Sequence, residues 1–359
     1  MRCSSPKPNS VKGKHRVERK PAMKPELLNR RDFVREAAMA GAGMAAVLSG
    51  WSAMAAEPAP VAIDTSKILN YNPNMEYRRL GKTGLMVSAV CLGGHSRSND
   101  TERAEIITRC IEAGINYIDA CWDNEVKRDA KALKGRRDKM YLALSHGAKE
   151  VRNEEYRTAK KLLESLDELL RDSEQEYTDL WRITCLEPGG RHSFDTSCEI
   201  VEALEKAKKA GKARFVGFSS HDRRWIKFMI DYFPQIDVVC FPFTTMSKAA
   251  PKDSLFPALK QRDVGAFGIK PFAAGSLFSG QPEEDLKRAR LAIRYILATN
   301  TVIPIPGLNS VAEVDNAVKA VAERRQFDVR EKVALEGLNR HVQAHLAPNY
   351  QWLRDWEYV

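Results

Sequence analysis

The chain lacks a paired-cysteine motif. Of its seven cysteines, six follow residue 56 (Cys91, Cys110, Cys121, Cys185, Cys198 and Cys240), and no two are spaced as C-x-x-C. That argues against an iron–sulfur insert and against a structural zinc. Most of these cysteines fall inside apolar strand-like or helical runs, so buried free thiols are the expected state. Excess charge is also scarce over most of the length. The formal net charge is +10, but residues 1–55 hold eleven Lys/Arg against four acids, which leaves only about +3 for the remainder. So small an excess points to neither nucleic acid nor an anionic surface, and no nucleic-acid partner is expected. No Pro/Gly-rich linker interrupts the middle of the chain, which weighs against two separate open α/β sheets. At 359 residues and 43% hydrophobic composition, the chain can bury a full core.

The early charge belongs to a targeting pattern. Asn29-Arg30-Arg31-Asp32-Phe33-Val34-Arg35 precedes a small, apolar run from residue 37 to 56, and Ala53-Met54-Ala55 offers a small-x-small cleavage site before Ala56. Residues 1–56 resemble a twin-arginine export signal. Gly and Ala dominate the run, where a stable membrane span would favour Leu and Ile; an uncleaved anchor is the alternative. The resemblance implies the twin-arginine export machinery as a partner, an exported, periplasmic protein, and no stable membrane span in the mature form. Residues 57–74, rich in Pro and Ala at first, read as a linker.

From residue 75 short β-branched runs alternate with stretches of helical period. Residues 76–88, with Gly81-Lys82-Thr83-Gly84 in their middle, read as a hairpin. Strands are expected at 89–93, 116–120, 140–145, 180–186, 214–219, 238–243, 266–271 and 301–306. Helices are expected at 102–113, 125–133, 154–170, 198–210, 225–232, 255–262, 284–297 and 311–322. Eight strand-then-helix units predict an α/β fold, a closed (β/α)8 TIM barrel over residues 75–327. The tail 328–359 is helical and then aromatic, with Tyr350, Trp352, Trp356 and Tyr358 close together. It is expected to pack on a barrel end rather than to join subunits.

Gly114-Ile115-Asn116-Tyr117-Ile118-Asp119-Ala120-Cys121-Trp122-Asp123-Asn124 places a carboxylate at the C-terminal end of a strand, where barrels keep their chemistry. That stretch, together with Glu76-Tyr77-Arg78-Arg79-Leu80-Gly81-Lys82-Thr83-Gly84-Leu85, Leu92-Gly93-Gly94, Gly211-Lys212-Ala213-Arg214-Phe215-Val216-Gly217-Phe218-Ser219, Lys270-Pro271-Phe272-Ala273-Ala274-Gly275 and Ile305-Pro306-Gly307, resembles the aldo-keto reductases. The resemblance runs from about residue 75 to 322, and the Lys-Pro form of the seventh strand end is similar to a bacterial branch. It implies a barrel that binds NADP(H) across the C-terminal ends of its strands and acts on a small carbonyl or alcohol.

In that family a Tyr acts as general acid, a Lys lowers its pKa, an Asp holds the Lys and a His orients the carbonyl. The four positions fall here on Asn124, Ser145, Asp119 and Thr184, so only Asp119 matches. Asp119 is then expected to stand without the cation that normally pairs with it. The carryover also implies cofactor contacts at Ser219, Ser220, Cys240, Lys270, Pro271, Phe272, Gly275, Leu277, Gly307, Asn309, Ser310 and Glu313. Two other readings remain: a non-catalytic nucleotide- or ligand-binding barrel, and metal-dependent chemistry among His95, Asp119, His146 and His221 at the rim. Cys121 and Cys185 read as packing residues. Lys270 reads as a contact to phosphate or to an anionic substrate, with base or Schiff-base chemistry as the other options.

Overall fold

The computed structural model describes residues 64–185, 192–247 and 255–354, so the signal-like segment, Trp356 and Tyr358 lie outside the described residues. The chain enters through the expected hairpin: β1 (Tyr77–Arg79) pairs antiparallel with β2 (Met86–Ser88), Tyr77 facing Ser88. Seven strands then pair in parallel and in chain order: β3 (Tyr117–Ala120), β4 (Tyr141–Leu144), β5 (Thr178–Thr184), β6 (Ala213–Ser219), β7 (Val238–Pro242), β8 (Gly265–Ile269) and β9 (Ile303–Pro304). The circle closes through residues 91–93. Leu92 bridges to Ile118 and Gly93 to Gly307, while Cys91 N donates to Pro304 O (3.1 Å) and Asp119 N to Leu92 O (2.9 Å). With that eighth stave the expected (β/α)8 barrel is complete.

One helix follows each stave: α1 (Asp100–Glu112), α2 (Asp123–Ala132), α3 (Ala159–Asp172), α4 (Phe194–Lys209), α5 (Arg223–Tyr232), α6 (Leu255–Arg262), α7 (Pro282–Ala298) and α8 (Val311–Ala322); α9 (Val329–His345) comes last. Their starts are chemically marked. Asn99 and Glu102 form a capping box on α1, and Ser193, Asp222 and Ser310 cap α4, α5 and α8. Each such cap contributes about 1 kcal/mol. Cap chemistry also corrects one expectation, because the helix read through 154–170 is interrupted. A 3-10 turn covers Glu154–Tyr156, then Thr158 accepts from Lys161 N and starts α3 afresh.

The period of two along each strand sorts residues between two apolar layers. Leu142, Leu144, Trp181, Ile183 and Phe218 pack in the layer shared with the helices. Tyr117, Tyr141, Ala143, Leu180, Val238, Cys240 and Phe267 cluster instead inside the barrel, with the hairpin's Leu80, Leu85 and Val87 among them. The Tyr117 and Phe267 rings lie 4.4 Å apart at its centre. Crowding at the strands is severe at Gly217, where a Cβ would meet Val238 O at 1.9 Å, so only glycine fits.

Residues 64–74 were expected as linker and are instead docked. Ile68 is buried, Asn70 Nδ2 donates to Ile111 O (2.7 Å), and the buried Asn116 donates to both Leu69 O (2.9 Å) and Met86 O (3.0 Å). Asn, with two donors and one acceptor, ties this segment and the hairpin to β3 as an apolar residue could not. All six cysteines of the described residues are free thiols, four of them buried. Among the described residues no helix is long and apolar enough to cross a membrane.

Candidate active site

At the C-terminal end of the barrel the inward positions turn polar. β3 delivers Asp119, and β5 delivers Arg182, two residues before Thr184 on the same face. Arg182 Nη2 donates to Asp119 Oδ1 (2.9 Å) and Oδ2 (3.1 Å), Nε donates to Oδ1 (3.2 Å), and both side chains are buried. The same guanidinium reaches Ser145 Oγ (3.0 Å) and Ser219 Oγ (2.8 Å). Burial opposes its charge, but the adjacent carboxylate prevails and holds the Arg182 pKa well above its ordinary value. Asp119 therefore has a cation after all, supplied from a strand position that the family pattern does not use. The expectation that it stands unpaired is overturned.

The other expected tetrad positions separate. Ser145 lies in the expected register, its hydroxyl inside the barrel against Arg182 but behind the cavity wall. Thr184 lines the cavity, and its N–H donates to Glu150 Oε2 (2.6 Å). Burial raises the Glu150 pKa to about 7. Asn124 is corrected: it is exposed on the first turn of α2 and does not reach the cavity. The Glu125 carboxylate accepts from the N–H groups of both His95 and Cys121 and pins the β3–α2 turn, so that Trp122 faces inward in place of Asn124.

A cavity of about 1270 Å³ runs from Asp119 and Arg182 past Lys270 and Gly275 to Gly307 and Glu313. Of the expected cofactor contacts, Ser219, Lys270, Pro271, Phe272, Gly275, Gly307, Asn309, Ser310 and Glu313 line it. Ser220, Cys240 and Leu277 do not, because each is fully buried. The Ser220 hydroxyl accepts from Asp222 N (3.0 Å), while Cys240 and Leu277 belong to the apolar clusters. The loop after β8 is conformationally unusual: Lys270, Ala273, Ala274 and Gly275 all have positive φ. Left-handed non-glycine residues are costly and concentrate where function fixes the backbone.

Five aromatic or imidazole groups wall the Asp119 end. Trp122 Nε1 donates to His95 Nδ1 (2.9 Å), which fixes the imidazole tautomer with its proton on Nε2. Much of the His95 ring is open to solvent, but the surrounding protein and then the Lys270 charge lower its pKa and favour the neutral ring. His221 stacks on Trp352 with ring centroids 4.3 Å apart, and the Tyr350 ring centroid lies 5.9 Å from the Lys270 ammonium. The described part of the aromatic tail thus packs on the barrel mouth. Burial, and then Arg182 and Arg152, bring the Lys270 pKa down to about 8 against an opposing influence of Cys121. The rim does not assemble the metal constellation considered from the sequence. Asp119 is engaged by Arg182, His146 Nδ1 accepts from Lys149 N (3.2 Å), and among the described residues no three His, Cys, Asp or Glu groups gather around a common point.

The sequence profile described as "Aldo/keto reductase family" matches residues 89–288. The chain belongs to that family. L-galactose dehydrogenase of Arabidopsis thaliana is 25% identical over 318 residues, covering 77% of this chain and 97% of the relative. L-glyceraldehyde 3-phosphate reductase of Escherichia coli K12 is 25% identical over 228 residues, 56% of this chain and 63% of that protein. Among solved structures, the holo form of an aldo-keto reductase from Bacillus halodurans superposes with a TM-score of 0.59 at 24% identity, over 77% of this chain and 99% of that one. An aldo/keto reductase from Klebsiella pneumoniae, solved with NADP and acetate, gives 0.59 at 19% identity, over 74% and 95%. The protein is an aldo-keto-reductase-like oxidoreductase in fold and family.

Sequence reasoning missed Arg182, Arg152 and Trp122 at this aldo-keto reductase mouth. Arg182 was accessible in principle: Leu180, Arg182 and Thr184 share the inward face of β5, and a charge inside a barrel needs a partner. Arg152 sits in the loop after β4, where no periodicity constrains it.

Proposed function

We propose that the chain is an exported, NADP(H)-dependent aldo-keto-reductase-like oxidoreductase that interconverts a carbonyl and an alcohol in this cavity, with three of the four usual tetrad positions replaced. The observation that carries the reading is the Trp122–His95 hydrogen bond beside the Asp119–Arg182 pair. It offers a directed donor at the mouth of a barrel whose phenol position is Asn124. With Nδ1 occupied, the neutral His95 presents Nε2–H to a carbonyl oxygen, and a neutral imidazole donor is an established way to polarise a carbonyl. Arg182 and Asp119 form a fixed floor, and Ser219, held by Arg182, marks the place of a carboxamide contact.

The residues present fit a nicotinamide dinucleotide. A Cβ at Gly275 would meet no atom within 4 Å, so phosphates can approach that backbone from open space. The Ser310-capped start of α8 opens on the same cavity and favours negative charge. Arg97 lines this end, its N–H donates to Asn309 Oδ1 (2.9 Å), and its guanidinium has no carboxylate partner among the described residues. It supplies the cation that a 2′-phosphate needs. When bound, the dinucleotide would supply the hydride, and the proton that completes the alcohol would come from solvent at the open mouth, since the neutral His95 polarises the oxygen without giving up its proton. A structure of the same fold holds NADP, which supports the choice of cofactor.

The test is to purify the folded protein, release bound nucleotide, and follow NADPH oxidation against a panel of aldehydes, ketones and 2-oxo acids. NADP(H) with turnover supports the reading, whereas nucleotide without turnover on any carbonyl leaves a binding barrel. Arg97→Ala should weaken NADPH binding by about tenfold or more, the worth of a charged hydrogen bond, with NADH binding unchanged. Export rests on Arg30, Arg31 and the run to residue 56. Twin-arginine passengers fold before export, so the nucleotide can travel bound. Replacing both Arg30 and Arg31 by Lys should retain the protein in the cytoplasm on fractionation; unchanged periplasmic recovery would discard the export assignment.

A further inference from the structure

The charges at the Asp119 end of the cavity do not balance. Arg182 is spent on Asp119, Ser145 and Ser219. Lys270 and Arg152 line the same space, and neither has a carboxylate within ion-pair distance among the described residues. The remaining cavity acids are engaged at the far end: Asp285 accepts from Ser279 N and Gly280 N, and Glu313 from Asn309 N. The groups that face Lys270 are Arg182 from β5, Arg152 from the β4 loop, Cys121 after β3, His95, His221 and Tyr350. Both imidazoles are held below their ordinary pKa, chiefly by burial and next by Lys270 itself. Two uncompensated cations therefore share a partly desolvated space, an arrangement that costs free energy until an anion enters.

The surroundings are built rather than loose. The Arg152 guanidinium lies 5.7 Å from the centroid of a Trp122 ring, and Nη1 donates to Gly147 O (3.3 Å). Trp122 is itself held by His95, and it packs so closely on Gly147 that a Cβ there would fall 2.9 Å from three ring atoms. Trp352, stacked on His221, also lines the cavity. Flat apolar faces beside a pair of cations suit a small, polar molecule that carries one anionic group.

We infer that Lys270 and Arg152 hold a carboxylate or phosphate group of the substrate, so that the molecule oxidised or reduced beside His95 is an anionic carbonyl or alcohol of the sugar-acid or sugar-phosphate class. The inference rests on the oxidoreductase reading above and adds the substrate's charge to it. Lys270 is the pH-dependent partner. The ammonium is charged below a pKa of about 8 and loses its proton above it, so anion affinity is complete below that value and declines as pH rises through it.

The experiment titrates the full-length protein with D-glucuronate, inorganic phosphate and neutral D-glucose, with and without NADPH, following tryptophan fluorescence. Glucuronate or phosphate should bind and glucose should not, and the tighter of the two anions names the source of the charge. Lys270→Met and Arg152→Met should each weaken anion binding by about tenfold or more while NADPH affinity stays within about twofold. The decline of affinity above the Lys270 pKa should vanish in Lys270→Met and persist in Arg152→Met, a pattern that mere loss of packing does not produce. Glucose binding as tightly as glucuronate would overturn the inference. So would Lys270→Met that loses NADPH and keeps glucuronate, since the ammonium would then belong to the nucleotide phosphates. NADPH binding without anion binding sinks this inference alone, whereas anion binding without any nucleotide sinks the cofactor reading and with it the redox role of the anion, leaving only the Lys270–Arg152 anion site.

Discussion

Arg182→Leu should be among the most destabilising single substitutions in the barrel, by about 3–5 kcal/mol, because it leaves the Asp119 carboxylate buried and unpaired. On thermal unfolding the midpoint should fall by on the order of 10 °C for a chain of this size. The loss is so large because the guanidinium closes three contacts at once: a two-oxygen grip on Asp119 at 2.9 and 3.1 Å, Ser145 at 3.0 Å and Ser219 at 2.8 Å. Leucine returns none of them. The geometry also predicts a rescue. Ser145 occupies the family's lysine position, and its hydroxyl already touches the group that grips Asp119. Ser145→Lys alone should destabilise, since it buries an ammonium against Arg182. Combined with Arg182→Leu, it should recover much of the lost stability by pairing lysine with Asp119. A double variant no more stable than Arg182→Leu would show that Arg182 does not occupy the place of that lysine.

Two kinds of information differ in how far they reach from the sequence. The barrel was legible because its signal is repeated: apolar residues two apart on strands and three to four apart on helices, over eight units in one order. The same alternation placed Ser145 inside the barrel with Ala143 and Tyr141, as found. The docked segment before residue 75 was not legible, because Leu69 and Asn70 acquire meaning only against Asn116 and Ile111, far along the chain. Asn124 failed for a related reason. A count of five residues from Asp119 assumes the family's turn, but Glu125 reaches back to the N–H groups of His95 and Cys121 and rotates Trp122 into the mouth instead. Positions set by strand periodicity transferred from the sequence; positions set by loop hydrogen bonds did not.

Loss of the imidazole is the sharpest test of that rebuilt mouth. With a carbonyl from the panel that supports turnover, His95→Ala should lower kcat by about a hundredfold or more, the cost of deleting one donor aimed at a developing oxyanion. KM and NADPH affinity should change little, because the donor matters most as charge builds on oxygen. Trp122→Phe keeps the aromatic wall but removes the N–H that fixes the tautomer at 2.9 Å from Nδ1, so it should produce a smaller loss of the same kind. The pH profile separates this role from a merely structural one. His95 is held below its ordinary pKa of about 6.5, so its neutral form persists into mild acid, and kcat should stay flat down through that value. His95→Ala with undiminished kcat would remove His95 from the reaction. The donor would then have to be sought at Lys270, whose ammonium, with a pKa of about 8, has a transferable proton near neutral pH.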